Sequence, residues 1–189
     1  MANGIFLSYT NVKDLWGHVT QFRDHLEAEL KLKTGEAQIT VFQDKRDIHA
    51  GDDFAEKLAS ELDSAKLLLI LLSPLWLNRP WCRAEYLRFR NSDSAGTIRR
   101  PIVSVIWNET SDEDAKDPES QAILADLNDG HKVNWTGVKY QRWDTSEPYE
   151  AISKLAMDIK RLLPHEAKAL ESSHRAAHNV PPVDSSDDA

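Results

Sequence analysis

Cysteine is almost missing from this chain: Cys82 is the only one in 189 residues. A single thiol excludes an internal disulfide and suits a reducing compartment, so a cytoplasmic protein is expected. Glycine is scarce as well, seven in all, and they form neither a Gly-x-Gly-x-x-Gly turn nor a Gly-x-x-x-x-Gly-Lys-Ser/Thr loop. The usual dinucleotide turn of redox enzymes and the Walker phosphate loop are therefore excluded. No apolar run reaches the roughly 20 residues that cross a bilayer, and the longest, around Leu67 to Leu77, contains Pro74. Met1-Ala-Asn-Gly4 leads straight into an apolar segment, so neither a signal peptide nor a membrane partner is expected. Basic residues are the minority, 23 Lys and Arg against 31 Asp and Glu, for a net charge of −8. Such a chain repels phosphate backbones at long range, which disfavours direct binding of nucleic acid. A small anionic ligand needs only a local basic spot, for which Lys45, Arg46, Arg79 and Arg83 are the candidates.

Metal chemistry finds little support. Of seven histidines, His174 and His178 stand four apart but in a polar tail, and the others read as solvated surface groups, so no metal is expected. Cys82 has no histidine near it in sequence and sits beside Trp81, the setting of a packed, inert thiol rather than a nucleophile.

What the chain does have is strand alternating with helix. Ile5-Phe-Leu7 reads as a first strand ending at Ser8-Tyr9. Asp14 to Lys33 repeats Val19, Phe22, Leu26 and Leu30 at helical spacing, with Gly35 as its stop. Ile39 to Phe42 is a second strand ending at Gln43-Asp44. A polar loop, Lys45 to Gly51, leads to Asp52-Asp53, which suit a helix N-terminus, and to a buried stripe of Phe54, Leu58 and Leu62. Leu67 to Leu72 is an unbroken apolar run, a strand buried on both faces. Asn78 and Pro80 look like the cap and first turn of a helix running to about Asn91. Ile102 to Trp107 is a fourth strand after Pro101. Asn108 to Ser120 reads as a surface excursion, Gln121 to Leu127 as a short helix, and Val138 to Tyr140 as a fifth strand. Ile152, Leu155, Ile159 and Leu162 mark a last helix that Pro164 ends. Beyond it periodicity disappears, which divides the chain into a domain over 1–164 and a flexible tail or linker over 165–189.

This alternation predicts an α/β fold: a flavodoxin-like five-stranded parallel sheet of order 2-1-3-4-5 with helices on both faces. Its crevice opens at the C-terminal ends of strands one and three, collecting Ser8-Tyr9, Ser73 to Trp81 and the loop after Asp44. A phospho-receiver of this topology wants acidic residues after strand one and an aspartate ending strand three; Ser8-Tyr9 and Ser73-Pro74 occupy those places. Glu85 is the sharper candidate. Trp81 and Glu85 lie four apart, hence on one face of a helix just past a central strand. A helical glutamate is ordinarily a solvated surface group and a tryptophan ordinarily a packing anchor, so on residues alone both readings stand. Asp44 and Asp47 equally suit the plain role of stiffening their loop.

The assembled pattern resembles the Toll/interleukin-1 receptor (TIR) domain. Gly4-Ile-Phe-Leu-Ser-Tyr9 looks like that family's first box. Val41-Phe-Gln-Asp44, with Asp47-Ile48 and Gly51-Asp-Asp-Phe54, looks like its second strand and following loop. Leu69-Ile-Leu-Leu-Ser-Pro74 with Trp81-Cys-Arg-Ala-Glu85 looks like its third strand and catalytic helix. The likeness covers about Gly4 to Leu163. The family's C-terminal Phe-Trp box is not matched; Tyr140-Gln-Arg-Trp143 is a loose echo, which sets the chain apart from animal receptor adaptors.

The resemblance implies one of two functions. The bacterial type of TIR domain cleaves NAD⁺ at the nicotinamide–ribose bond, giving linear or cyclic ADP-ribose; the adaptor type only assembles. In the former, the glutamate placed like Glu85 is catalytic. NAD⁺ is then a substrate and no cofactor is needed. Trp81 and Phe54 are expected to stack on planar rings, Ser8 and Tyr9 to line the nicotinamide end beside Ser73, and Arg46 or Lys45, next to Asp44, to face the diphosphate. The family also implies homotypic contacts through the Asp44 to Gly51 loop, filament-like assembly, a sensor domain or partner protein as trigger, and a role in bacterial antiviral defence. A glycosidase of related topology acting on other N-ribosides is a third reading.

Overall fold

The computed structural model describes residues 4–10, 17–43, 52–92 and 99–163, with the backbone alone over 52–55. Six Leu and Ile side chains in a row, Leu67–Leu72, form β3, and every one is buried. A strand with no polar face must be covered on both sides, and here it is. β3 pairs in parallel with β1 (Gly4–Ser8) on one side and β4 (Ile102–Ile106) on the other. β2 (Thr40–Gln43) lies outside β1, and β5 (His131–Asn134) outside β4. The sheet order is β2-β1-β3-β4-β5, the parallel flavodoxin-like order expected from the sequence.

Strand alternation sorts the core into two layers. Ile5, Leu7, Leu67, Leu69, Leu71, Val103 and Val105 face α1 (His18–Thr34) and α6 (Ser146–Leu162), which bring Phe22, Leu26, Ile152, Leu155 and Ile159. Phe6, Leu68, Ile70 and Leu72 face the opposite layer, where α2 (Asp52–Ser64), α3 (Pro74–Leu77), α4 (Pro80–Asn91) and α5 (Pro118–Asp129) supply Leu58, Leu62, Trp76, Phe89 and Leu124. Each fully buried Leu or Phe contributes roughly 1.5–3 kcal/mol of transfer free energy. α1 stops where the sequence indicates: Gly35 takes φ +75° and returns its N–H to Lys31 O at 3.0 Å, a left-handed cap that a side chain would strain.

Four expectations are corrected. The fifth strand is His131–Asn134, not Val138–Tyr140, which is a turn. An exposed edge strand of four residues carries no apolar alternation to betray it. Gln121–Leu127 is the middle of a longer helix that Pro118 opens at its first turn, with Asp117 accepting from Ser120 N–H. The excursion before it is therefore shorter, Asn108 to Asp117, and holds a 3-10 turn at Asp112–Asp114. Asn78 does not cap α4. It closes α3, and its Nδ2 donates to Pro74 O at 2.8 Å and to Asp114 O at 2.7 Å; Arg79 stands at the head of α4 without a side-chain cap. Among the described residues no helix is long and apolar enough to cross a membrane. The tail beyond 163, the Asp44 to Gly51 loop with Lys45, Arg46 and Asp47, and the Phe54 side chain lie outside the described residues.

Candidate active site

Ser73 ends β3 and turns the chain into α3, its Oγ accepting from Trp76 N–H at 3.2 Å. Pro80 then sits in the first turn of α4, where its missing N–H costs nothing. These two breaks fix the angle at which α4 returns over the C-terminal ends of β1 and β3. The outer side of α4 is clamped to α5. Arg83 Nη1 donates to Asp117 Oδ2 at 2.6 Å and its Nε lies 3.0 Å from Glu119, while Tyr86 and Arg90 both donate to Asp126. Burial alone would raise the Asp126 carboxyl, but the hydrogen bonds from Tyr86 and Arg90 and the charges of Arg90 and Arg99 outweigh it and hold it below the usual range.

With α4 so fixed, its inner side carries Glu85 into the protein, where it is 5% exposed. A carboxylate at that depth must have donors, and it has them. Trp81, one turn earlier, donates from Nε1 to Oε1 at 2.7 Å. Ser8, the last residue of β1, donates from Oγ to Oε2 at 2.5 Å. Ser8 is itself steered, because its Oγ accepts from Trp76 Nε1 at 2.9 Å. The chain Trp76 to Ser8 to Glu85 joins α3, β1 and α4, residues 68 and 77 apart in sequence. It sets the plane of the carboxylate through both oxygens, since donors to a charged acceptor hold it more firmly than neutral pairs do.

Glu85 lines one wall of a cleft of about 250 Å³ between α2 and α4, whose other walls are Leu58, Ala59, Leu62, Trp81, Ala84 and Arg88. Trp81 keeps 47% of its surface exposed while its N–H is engaged. Three residues further along α4, Arg88 is held by Asp63 from the end of α2, Nε to Oδ1 at 2.7 Å and Nη2 to Oδ2 at 2.6 Å. That pairing lowers the Asp63 carboxyl below its ordinary value, the Arg88 hydrogen bond being the main cause. Such a cleft, with apolar walls and two charged side chains on one helix face, suits a small ligand that carries both a ring and polar groups.

The structure brings Ser8, Trp81 and Glu85 together as the sequence indicates. It does not bring Tyr9. The ring of Tyr9 belongs to the α1–α6 layer, its hydroxyl accepting from Gln43 Nε2 at 3.1 Å. Ser73 stands near the site as a helix cap rather than as a facing group. Arg83 is engaged by Asp117 and Glu119 and is no open basic spot. Cys82 is buried with its Sγ 3.8 Å from Tyr9 O. Arg88 is the member that sequence reasoning missed, and Trp76 enters it only within the Ser73 to Trp81 stretch, not as a residue singled out. Among the described residues no group of three or more His, Cys, Asp or Glu could hold a metal ion.

A family model described as "TIR domain" matches residues 5–155 of this chain. Among solved structures the chain is similar to the TIR domains of an activated Roq1 resistosome directly recognising the pathogen effector XopQ, with a TM-score of 0.43 and 14% identity over 82% of this chain and 84% of that one. No curated protein matches it.

Proposed function

This chain belongs to the TIR domain family, and from that premise we propose that it is an NAD⁺ nucleosidase of the kind that works when clustered. The observation that supports the activity is the carboxylate of Glu85, oriented through both oxygens by Ser8 and Trp81 in the wall of the α2–α4 cleft. The chemistry needs one acid group and no metal. When the bond between ribose C1′ and the nicotinamide nitrogen breaks, the electron pair goes to the ring nitrogen and nicotinamide leaves as a neutral molecule. No general acid has to protonate it. Positive charge builds instead on the ribose, as in glycoside hydrolysis, and a fixed carboxylate beside the sugar stabilises it without reorganising. Water then adds at C1′ and loses its proton to solvent, giving ADP-ribose, or the adenine of the same molecule adds and gives a cyclic product. Trp81 offers a stacking surface to the planar ring of the substrate.

Contacts between copies through the Asp44 to Gly51 loop, with Asp44 and Arg46 beside the substrate, extend the same reading. So do Phe54 as a second stacking ring, a cytoplasmic setting, a sensor domain or partner protein as the trigger, and an effector role in bacterial antiviral defence. A head-to-tail contact of that kind need not close and can extend into a filament. Incubating NAD⁺ with dilute and with concentrated protein, and resolving the products by chromatography, tests the proposal. Nicotinamide and a ribosyl product are expected, at a specific rate that rises with protein concentration. Assembly without nicotinamide at any concentration would leave only a scaffolding module, and turnover of other N-ribosides with NAD⁺ spared would indicate a different glycosidase.

A further inference from the structure

Arg88 stands three residues after Glu85 on α4, so the two share a face, about 4.5 Å apart along the helix axis. Both line the α2–α4 cleft, and Arg88 is the only cationic side chain among the described residues that does. Asp63 grips the guanidinium by its Nε and Nη2 edge. An arginine has five N–H donors in a rigid fork, so this pairing leaves the Nη1 edge free to donate; among the described residues Asp63 is its only partner. The remaining walls, Leu58, Ala59, Leu62 and Ala84, offer an apolar surface with no charge. A ligand in the cleft therefore meets a carboxylate and, about one helical turn further along α4, an oriented guanidinium. In a nicotinamide dinucleotide the group one C5′ and one ester oxygen beyond the ribose is the diphosphate.

Resting on the nucleosidase reading, we propose that Arg88 binds the substrate's diphosphate while Glu85 holds its ribose, so that the site selects ribosyl diphosphates over the bare riboside. Asp63 is a positioning residue: it fixes one edge of the fork so that the other is presented without loss of rotamer freedom on binding. The apolar walls add affinity without choosing a register, so the two charged groups set which bond lies at Glu85.

The test is calorimetric titration of the full chain, at concentrations where it assembles, with ADP-ribose, inorganic pyrophosphate and nicotinamide riboside. It is run on wild type, Arg88→Ala and Arg88→Lys, alongside turnover of NAD⁺ and of the riboside. Arg88→Ala is expected to weaken ADP-ribose and pyrophosphate roughly tenfold to a hundredfold, the loss of one charge-assisted pair, and to raise KM for NAD⁺ with kcat little changed. The riboside should respond less than about twofold, and Arg88→Lys should restore part of the loss, because an ammonium keeps the charge but not the fork. Unchanged ADP-ribose affinity in Arg88→Ala, equal losses for diphosphate and riboside, or a wild type that binds neither diphosphate would overturn the assignment. A wild type that binds ADP-ribose through Arg88 yet releases no nicotinamide would instead overturn the nucleosidase reading and leave this one standing. An unchanged KM for NAD⁺ in Arg88→Ala, with nicotinamide still released, would do the reverse.

Discussion

Ser8 makes the smallest change that separates orientation from presence of the acid. Its hydroxyl donates to Glu85 and accepts from Trp76, both inside the protein. Ser8→Ala leaves the Trp76 N–H without the Ser8 acceptor and removes one donor from Glu85, costing about 1–3 kcal/mol for a buried group left unsatisfied. Nicotinamide release should fall by roughly tenfold or more, since a carboxylate free to swing no longer faces the charge it must stabilise. Thermal unfolding and single-substrate kinetics measured together check this; a fully active, less stable variant would make Ser8 a packing residue only. At this scale the sequence was informative where chemistry is local. Trp81 and Glu85 are a helical pair whose spacing alone predicts contact. Trp76 was not legible, because its indole reaches Ser8 across 68 positions. Tyr9 follows the last residue of β1, and its ring joins the α1–α6 layer rather than the layer of Glu85.

Among the elements, β2 shows how an open sheet edge is closed by a side chain. Glu27 on α1 accepts from Val41 N–H at 2.9 Å and from Lys31 Nζ at 2.6 Å. Burial pushes the Glu27 carboxyl up, yet the Lys31 and Val41 hydrogen bonds prevail and its value ends below the ordinary 4.5. A lowered folded value means that the ionised form stabilises the fold, fully above the ordinary value and less as pH falls through the folded one. Glu27→Gln should therefore lose on the order of 1 kcal/mol at neutral pH and nothing once pH is below both values. Urea midpoints of the two proteins measured from pH 7 to pH 3 should converge; a constant gap would show that charge plays no part. Legibility among the elements followed burial. β3 was read residue for residue because six apolar side chains in a row admit one interpretation. β5 was misplaced because most of its side chains face solvent. α3, four residues long, is too short for helical periodicity to register.

Over the whole molecule, parallel topology does the gathering. Strand order 2-1-3-4-5 places the end of β1 beside the end of β3, and the helix that follows β3 must fold back across that junction. Ser8, Trp76, Trp81 and Glu85 meet there though Ser8 and Glu85 stand 77 positions apart in the chain. A site built from three elements is lost when the packing of any one is lost, so activity and folding must be read together. The most direct measurement is nicotinamide release from NAD⁺ by Glu85→Gln at high protein concentration, with folding followed by circular dichroism and thermal unfolding. The amide keeps the shape and still accepts hydrogen bonds, but it carries no charge. A folded variant with release lowered by roughly a thousandfold or more is predicted, the scale of losing a charge-stabilising group. A folded Glu85→Gln that releases nicotinamide at the wild-type rate would contradict the account.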